Sequence, residues 1–146
     1  MTHAIVTLTD IGPRPSVFDI ERAALENQAY RTVVWSGQHL QVTLMSIPVD
    51  ADIGLEMHPE TDQFLRLESG NGLLRMGAGK DLLTLAQDIA DGWCAMVPAG
   101  FWHNITNIGD APMKIYAIYA PAHHAPGKVQ LTAADAAADL DDKPAN

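Results

Sequence analysis

A single cysteine, Cys94, stands in the 146 residues, so no disulfide can form within the chain, and usage this sparse fits a reducing compartment. Basic residues are also scarce. Nine Lys and Arg face eighteen Asp and Glu, for a formal charge of −9. That balance argues against nucleic acid or an anionic membrane as the main partner, and makes a highly charged phosphorylated ligand unnatural. No apolar run approaches the roughly 18 residues of a membrane-spanning helix, and no charged-then-apolar leader opens the chain. The expectation is a cytoplasmic protein. No internal repeat with a period of about 20 to 50 residues appears, which argues for one barrel or sandwich rather than a tandem array.

At 146 residues the chain is expected to form one domain, 1–146, large enough to bury a core without disulfide or metal staples. A metal here would therefore serve function. Two stretches point to one. In Gly54-Leu55-Glu56-Met57-His58-Pro59, Glu56 and His58 are two apart, so on an extended strand they share a face, and a carboxylate beside an imidazole suggests a metal. Pro59 to Asp62 reads as a turn into a second strand, on which Gln63, Leu65 and Leu67 share a face. The second stretch, Gly92 to Asn107, sets Gly92, Pro98, Gly100, His103 and Asn107 in the order Gly-x5-Pro-x-Gly-x2-His-x3-Asn. Proline there ends a strand, and glycine permits a positive φ that aims the next strand, with His103, inward.

This second pattern resembles the second motif of the cupins at all five positions. The first stretch resembles their first motif, usually His-x-His-x3 or 4-Glu-x6-Gly, with Glu56 and Gln63 in place of the first His and the Glu. Its leading glycine is replaced by Asp50. The motifs cover about residues 54 to 107, and the text from Asn27 to Ile47 is also similar to small single-domain cupins of the mannose-6-phosphate isomerase-like kind. The resemblance implies an all-β jelly-roll barrel over about 31–121. It also implies a divalent metal held by Glu56, His58, Gln63 and His103. Two imidazoles, a carboxylate and an amide oxygen suit Fe, Mn, Ni or Zn without choosing among them, and lean away from a closed structural zinc.

Between and around the motifs, short strands recur at about ten-residue spacing with turn signals between them, as in a sandwich or barrel. Asp19 is placed to cap a short helix over Ile20–Glu26, with Arg22 on the face of Glu26. Arg31–Trp35 and Leu40–Ile47 read as a hairpin, and Leu73–Met76 with Leu82–Leu85 as another. A strand is expected in Ala4–Thr9 and another over Met113–Tyr119. Residues 132–146 read as a peripheral helix from a Thr132 and Asp135 capping box, followed by a disordered tail from Asp141. Trp35, Met45, Trp93 and Met96 read as core, and Cys94 as a buried small residue.

Other candidates are open to two readings. Glu60 is either a general base beside the metal or a solvated turn carboxylate. Tyr119, His123 and His124 stand where a strand leaves the barrel: one could supply a proton or line the substrate pocket, or the histidines are a surface pair. Trp102 and Phe101 wall the pocket or pack under it. The expected activity is that of an isomerase, epimerase or lyase in which the metal acts as Lewis acid on a sugar-like or other oxygenated small molecule. A metal-dependent dioxygenase and a non-catalytic ligand-binding cupin are the alternatives. A phosphate clamp would need clustered Arg or Lys, and near the motifs only Arg66 and Arg75 occur. Apolar Ile5, Val6, Leu8, Ile20 and Leu25, ahead of the barrel, lead to the expectation of a homodimer.

Overall fold

The computed structural model describes residues 9–139. The elements run α1 (Ile20–Glu26), β1 (Arg31–Ser36), β2 (Gln41–Ile47), β3 (Asp62–Ser69), β4 (Asn71–Gly77), β5 (Leu85–Ala90), β6 (Cys94–Val97), β7 (Trp102–Asn107), β8 (Met113–Ala120), β9 (Val129–Gln130) and α2 (Ala133–Ala138). Six strands form one antiparallel sheet, in the order β6-β3-β8-β2-β1-β9, and three form the other, β5-β4-β7. The sheets are not joined by strand pairing into a closed barrel among the described residues. They face each other across one core, to which Leu65, Leu67, Ile115 and Ala117 come from the larger sheet and Leu74, Met76, Ile89 and Ile105 from the smaller. No described helix is long and apolar enough to cross a membrane.

Both helices form where their caps stand. Asp19 accepts a hydrogen bond from Arg22 N, Arg22 pairs with Glu26 at 2.8 Å, and Thr132 and Asp135 close the capping box of α2. Ala24, half-buried Phe18 and Ile20, Trp35 and Ile118 build a second apolar cluster between α1 and the outer face of the large sheet. Ile20 is thus used within the chain, while Leu25 is 41 % exposed. The strand expected in Ala4–Thr9, with Ile5, Val6 and Leu8, lies outside the described residues except for Thr9. So does the tail from Asp141.

Three expectations are corrected. The strand placed at Leu82–Leu85 begins at Leu85 and runs to Ala90; Leu82 instead bridges to Gly79 in the turn. The leucine run lies over the backbone of Gly77, and β5 that follows is an edge strand of the smaller sheet that buries Ile89. Trp93 and Met96 are 49 % and 65 % exposed rather than core, and Cys94 is exposed rather than buried. On β6, Ala95 and Val97 take the inward phase, so Cys94 and Met96 point out. Trp35 is half-buried against α1, and Met45 is core as expected.

Two features of the motifs hold the frame. Asp50, standing where the resembling motif has glycine, has φ 65°, so the left-handed turn is kept with a residue type that tolerates it. Asn107, the last motif residue, is 2 % exposed and donates from Nδ2 to Ile47 O at 3.0 Å and Ala111 O at 2.9 Å. Its Oδ1 accepts from Gly109 N at 2.9 Å, so one amide ties the end of β2 to the turn after β7. Asn107→Ala strands these partners and is expected to cost about 3 kcal/mol. Thermal melting should show the midpoint falling by about 10 °C, with metal stoichiometry unchanged.

Candidate metal centre

The segment 51–56 runs antiparallel to β7. Asn107 N donates to Ala51 O, Ile53 N to Ile105 O, and Glu56 and His103 exchange both backbone bonds, at 3.0 and 2.9 Å. That double bond fixes Glu56 opposite His103. Two residues on, His58 O accepts from Gly100 N at 2.8 Å. Gly100 has φ 86° and open space around a would-be Cβ, so the turn that Pro98 starts after β6 is conformational and feeds β7 with His103 in the inward phase.

One ligand atom each from Glu56, His58 and His103 lies within 4.8 Å of the others, which makes these three a possible metal-binding group. His58 and His103 are 3 % and 0 % exposed, with ring centroids 5.3 Å apart. His103 Nδ1 lies 3.2 Å from Phe101 O. A carbonyl can only accept, so Nδ1 carries the proton and Nε2 presents its lone pair inward. Burial pushes the His103 imidazole below its ordinary range, outweighing the Glu56 charge that pulls the other way, and keeps it neutral as a ligand must be. For Glu56, burial would raise the carboxyl. The facing His58, the charge of Arg31 and the two imidazoles together outweigh it, so the group is held below the usual carboxylate range and ionised.

Gln63 stands on β3 directly opposite Tyr119 of β8 and Val97 of β6. It is 3 % exposed, and Tyr119, fully buried, lies with its ring centroid 5.6 Å from that of His58. Among the described residues, Gln63 Oε1, His58 Nε2 and His103 Nε2 are buried with no hydrogen-bond partner. Glu56 Oε2 is 3.4 Å from His58 Nε2, too long and poorly aligned to satisfy it. Native interiors rarely leave such atoms orphaned, and a cation held by Glu56, His58 and His103 would satisfy the two histidine nitrogens. The donors present therefore fit a divalent metal.

The remaining sequence candidates fall in different places. Glu60 is exposed in the turn after His58. His123 sets its ring 4.0 Å from that of His58, and His124 Nε2 lies 3.3 Å from the Tyr119 hydroxyl, so both histidines of the segment after β8 turn inward onto the site. Trp102 alternates with His103 on β7 and so faces outward, with Lys80 Nζ 5.8 Å from its ring, and Phe101 is 37 % exposed.

Arg31 went unnoticed in the sequence. It is 1 % exposed and reaches Glu56 Oε1 at 3.3 Å and Gln130 Oε1 at 2.7 Å. Its only sequence signal is a cation at the start of a strand whose neighbours are all buried types. Together with Glu56, Tyr30 and Leu55 it lines a cavity of about 300 Å³ that the alanines of α2 also line. Arg31→Met removes a buried partner of Glu56 and should cost about 3 kcal/mol in the metal-free protein. Excess divalent metal should recover part of that loss, because the carboxylate regains a cation. Melts with and without metal check it, and equal losses in both would place Arg31 apart from the centre.

Two facing antiparallel sheets with an inward carboxylate and histidine group between them define a β-sandwich with a possible metal-binding group in its interior. The chain belongs to the cupins, for the Cupin domain family model matches residues 43–119. It is similar to the uncharacterised protein YrkC of Bacillus subtilis, 50% identical over 134 residues, 92% of this chain and 72% of that protein. An uncharacterised protein of Acanthamoeba polyphaga mimivirus is 36% identical over 116 residues, 79% of this chain and 71% of its own. The crystal structure of BH2720 from Bacillus halodurans matches with a TM-score of 0.89 at 51% identity, over 90% of this chain and 99% of that one.

Proposed function

We propose that the chain holds one divalent metal ion on Glu56, His58, Gln63 and His103 and acts as an isomerase, epimerase or lyase on a small oxygenated molecule. What carries the reading is the pair of buried, partnerless Nε2 atoms of His58 and His103 beside an ionised buried carboxylate. When bound, the ion supplies Lewis acidity to a carbonyl or hydroxyl oxygen. The chain supplies the rest. Tyr119 holds its hydroxyl at 3.3 Å from His124 Nε2 and its ring against His58, which suits it to hold or pass a proton at that oxygen. His58 and Arg31 together help hold Glu56 ionised, and the cavity beside Arg31 and Glu56 has room for a small ligand. A phosphate is not needed by this reading: Arg66 is paired with Glu68 at 2.7 Å and Arg75 is exposed.

Metal-loaded protein in deuterium oxide, offered a panel of small hydroxy-ketones, aldoses and keto acids, tests the reading by NMR. Deuterium should enter at carbon next to the carbonyl, and Tyr119→Phe should slow entry by about a hundredfold. Loaded protein that binds these compounds without exchanging any proton would instead support a non-catalytic ligand-binding cupin. Uptake of oxygen with any of them would support a dioxygenase.

A further inference from the structure

His123 and His124 are carried on a short connection after β8, where loops are ordinarily mobile and solvated. Here a single side chain from β2 holds them. Gln41 is 0 % exposed; its Oε1 accepts from His123 N at 3.1 Å and from His124 N at 2.9 Å, and its Nε2 donates to His124 O at 2.7 Å and reaches Ser36 Oγ at 3.1 Å. Three of the four hydrogen bonds of this amide go to the backbone of His123 and His124. Ser36 in turn donates to Asp10 Oδ2 at 2.7 Å, and the same oxygen accepts from Gly127 N at 2.8 Å, so both ends of the connection are tied to one network. The consequence lies inward. With its backbone fixed at two consecutive amides, the connection sets the His123 ring 4.0 Å from His58 and the His124 ring 5.1 Å from Tyr119.

We propose that Gln41 is a positioning residue for this centre, folding the 121–125 segment into a cap whose His123 imidazole covers the His58 face. Of the candidate ligands, Glu56 also lines the 300 Å³ cavity beside Arg31. The cap gains its meaning from the metal reading above, but it is a property of the chain and is testable without metal.

The probe is diethyl pyrocarbonate, which acylates accessible neutral imidazoles, applied to metal-free protein and followed residue by residue by mass spectrometry. Exposed His39 serves as internal standard. In the parent protein His58 should react far more slowly than His39. Gln41→Met keeps the side-chain length and removes all four bonds, and His123→Ala removes the covering ring while keeping the clamp. Each should raise the His58 rate about tenfold, and the double variant should rise no further, since both open the same cover. Asn107→Ala, destabilised elsewhere, should leave His58 as slow as in the parent, which separates opening of the cap from general loosening. An unchanged His58 rate in Gln41→Met, a rise that His123→Ala does not share, additive rises in the double variant, or an equal rise in Asn107→Ala would each overturn the proposal. Elemental analysis of the same preparations reports on the metal reading independently, so either idea can fail while the other stands.

Discussion

The double variant His58→Ala with His103→Ala should purify folded and hold less than about a tenth of an equivalent of divalent metal per chain, because only a carboxylate and an amide would be left to bind it. Loss of fold is not expected. His103 Nε2 and both ring nitrogens of His58 lack hydrogen-bond partners among the described residues, so removing the rings takes away buried polar atoms that the metal-free protein leaves unsatisfied. The cavities left behind cost about 2 to 5 kcal/mol each, offset in part by that relief. The parent protein should gain about 4 kcal/mol in metal at a thousandfold excess over its dissociation constant. The double variant should gain none. Elemental analysis and paired melts check both halves, and one equivalent of metal retained in the variant would sink the assignment.

Gln63→Glu has the second large effect, and its sign separates two roles. As a ligand, an amide binds through its oxygen and donates less charge than a carboxylate; the substitution adds a second anion to the site and should tighten metal binding on the order of tenfold. The same anion makes the metal a poorer Lewis acid, so any reaction depending on polarisation should slow. Tighter binding and weaker chemistry are expected together. As a mere wall residue, 3 % exposed and opposite Tyr119, the new carboxylate would be buried without a partner. Stability would then fall by about 3 kcal/mol, with affinity unchanged. Metal titration and melting of this one variant decide the matter: a lowered midpoint with the parent's affinity removes Gln63 from the site.

Most of the architecture could be read from short-range chemistry. Turn residues, caps and strand alternation act over a few positions, which is why α1, the β1 and β2 hairpin and the inward set Gln63, Leu65 and Leu67 were legible. The spacing from Glu56 to His103 was legible only by resemblance, since nothing local says that residue 56 bonds to residue 103. Hydrophobicity without phase misled at Trp93, Cys94 and Met96: a four-residue edge strand has too few turns of alternation to reveal which half faces the core. Arg31 and Gln41 were invisible for a different reason. Their partners lie 25 and 83 residues away, at Glu56 and His124, and a polar residue in a strand gives no sign of which distant group will satisfy it.

The outward phase of β6 has a practical consequence. Its exposed Cys94 is the one thiol in the chain, and it pairs across the strands with Arg66, three positions along β3 from Gln63. At about 3.3 Å per residue, that sets the sulfur on the order of 10 Å along the sheet from the candidate centre. A maleimide fluorophore attached there would sit within quenching range of Co²⁺ or Cu²⁺. The native chain thus carries a ready-made optical gauge of metal occupancy, with no cysteine to remove and none to add.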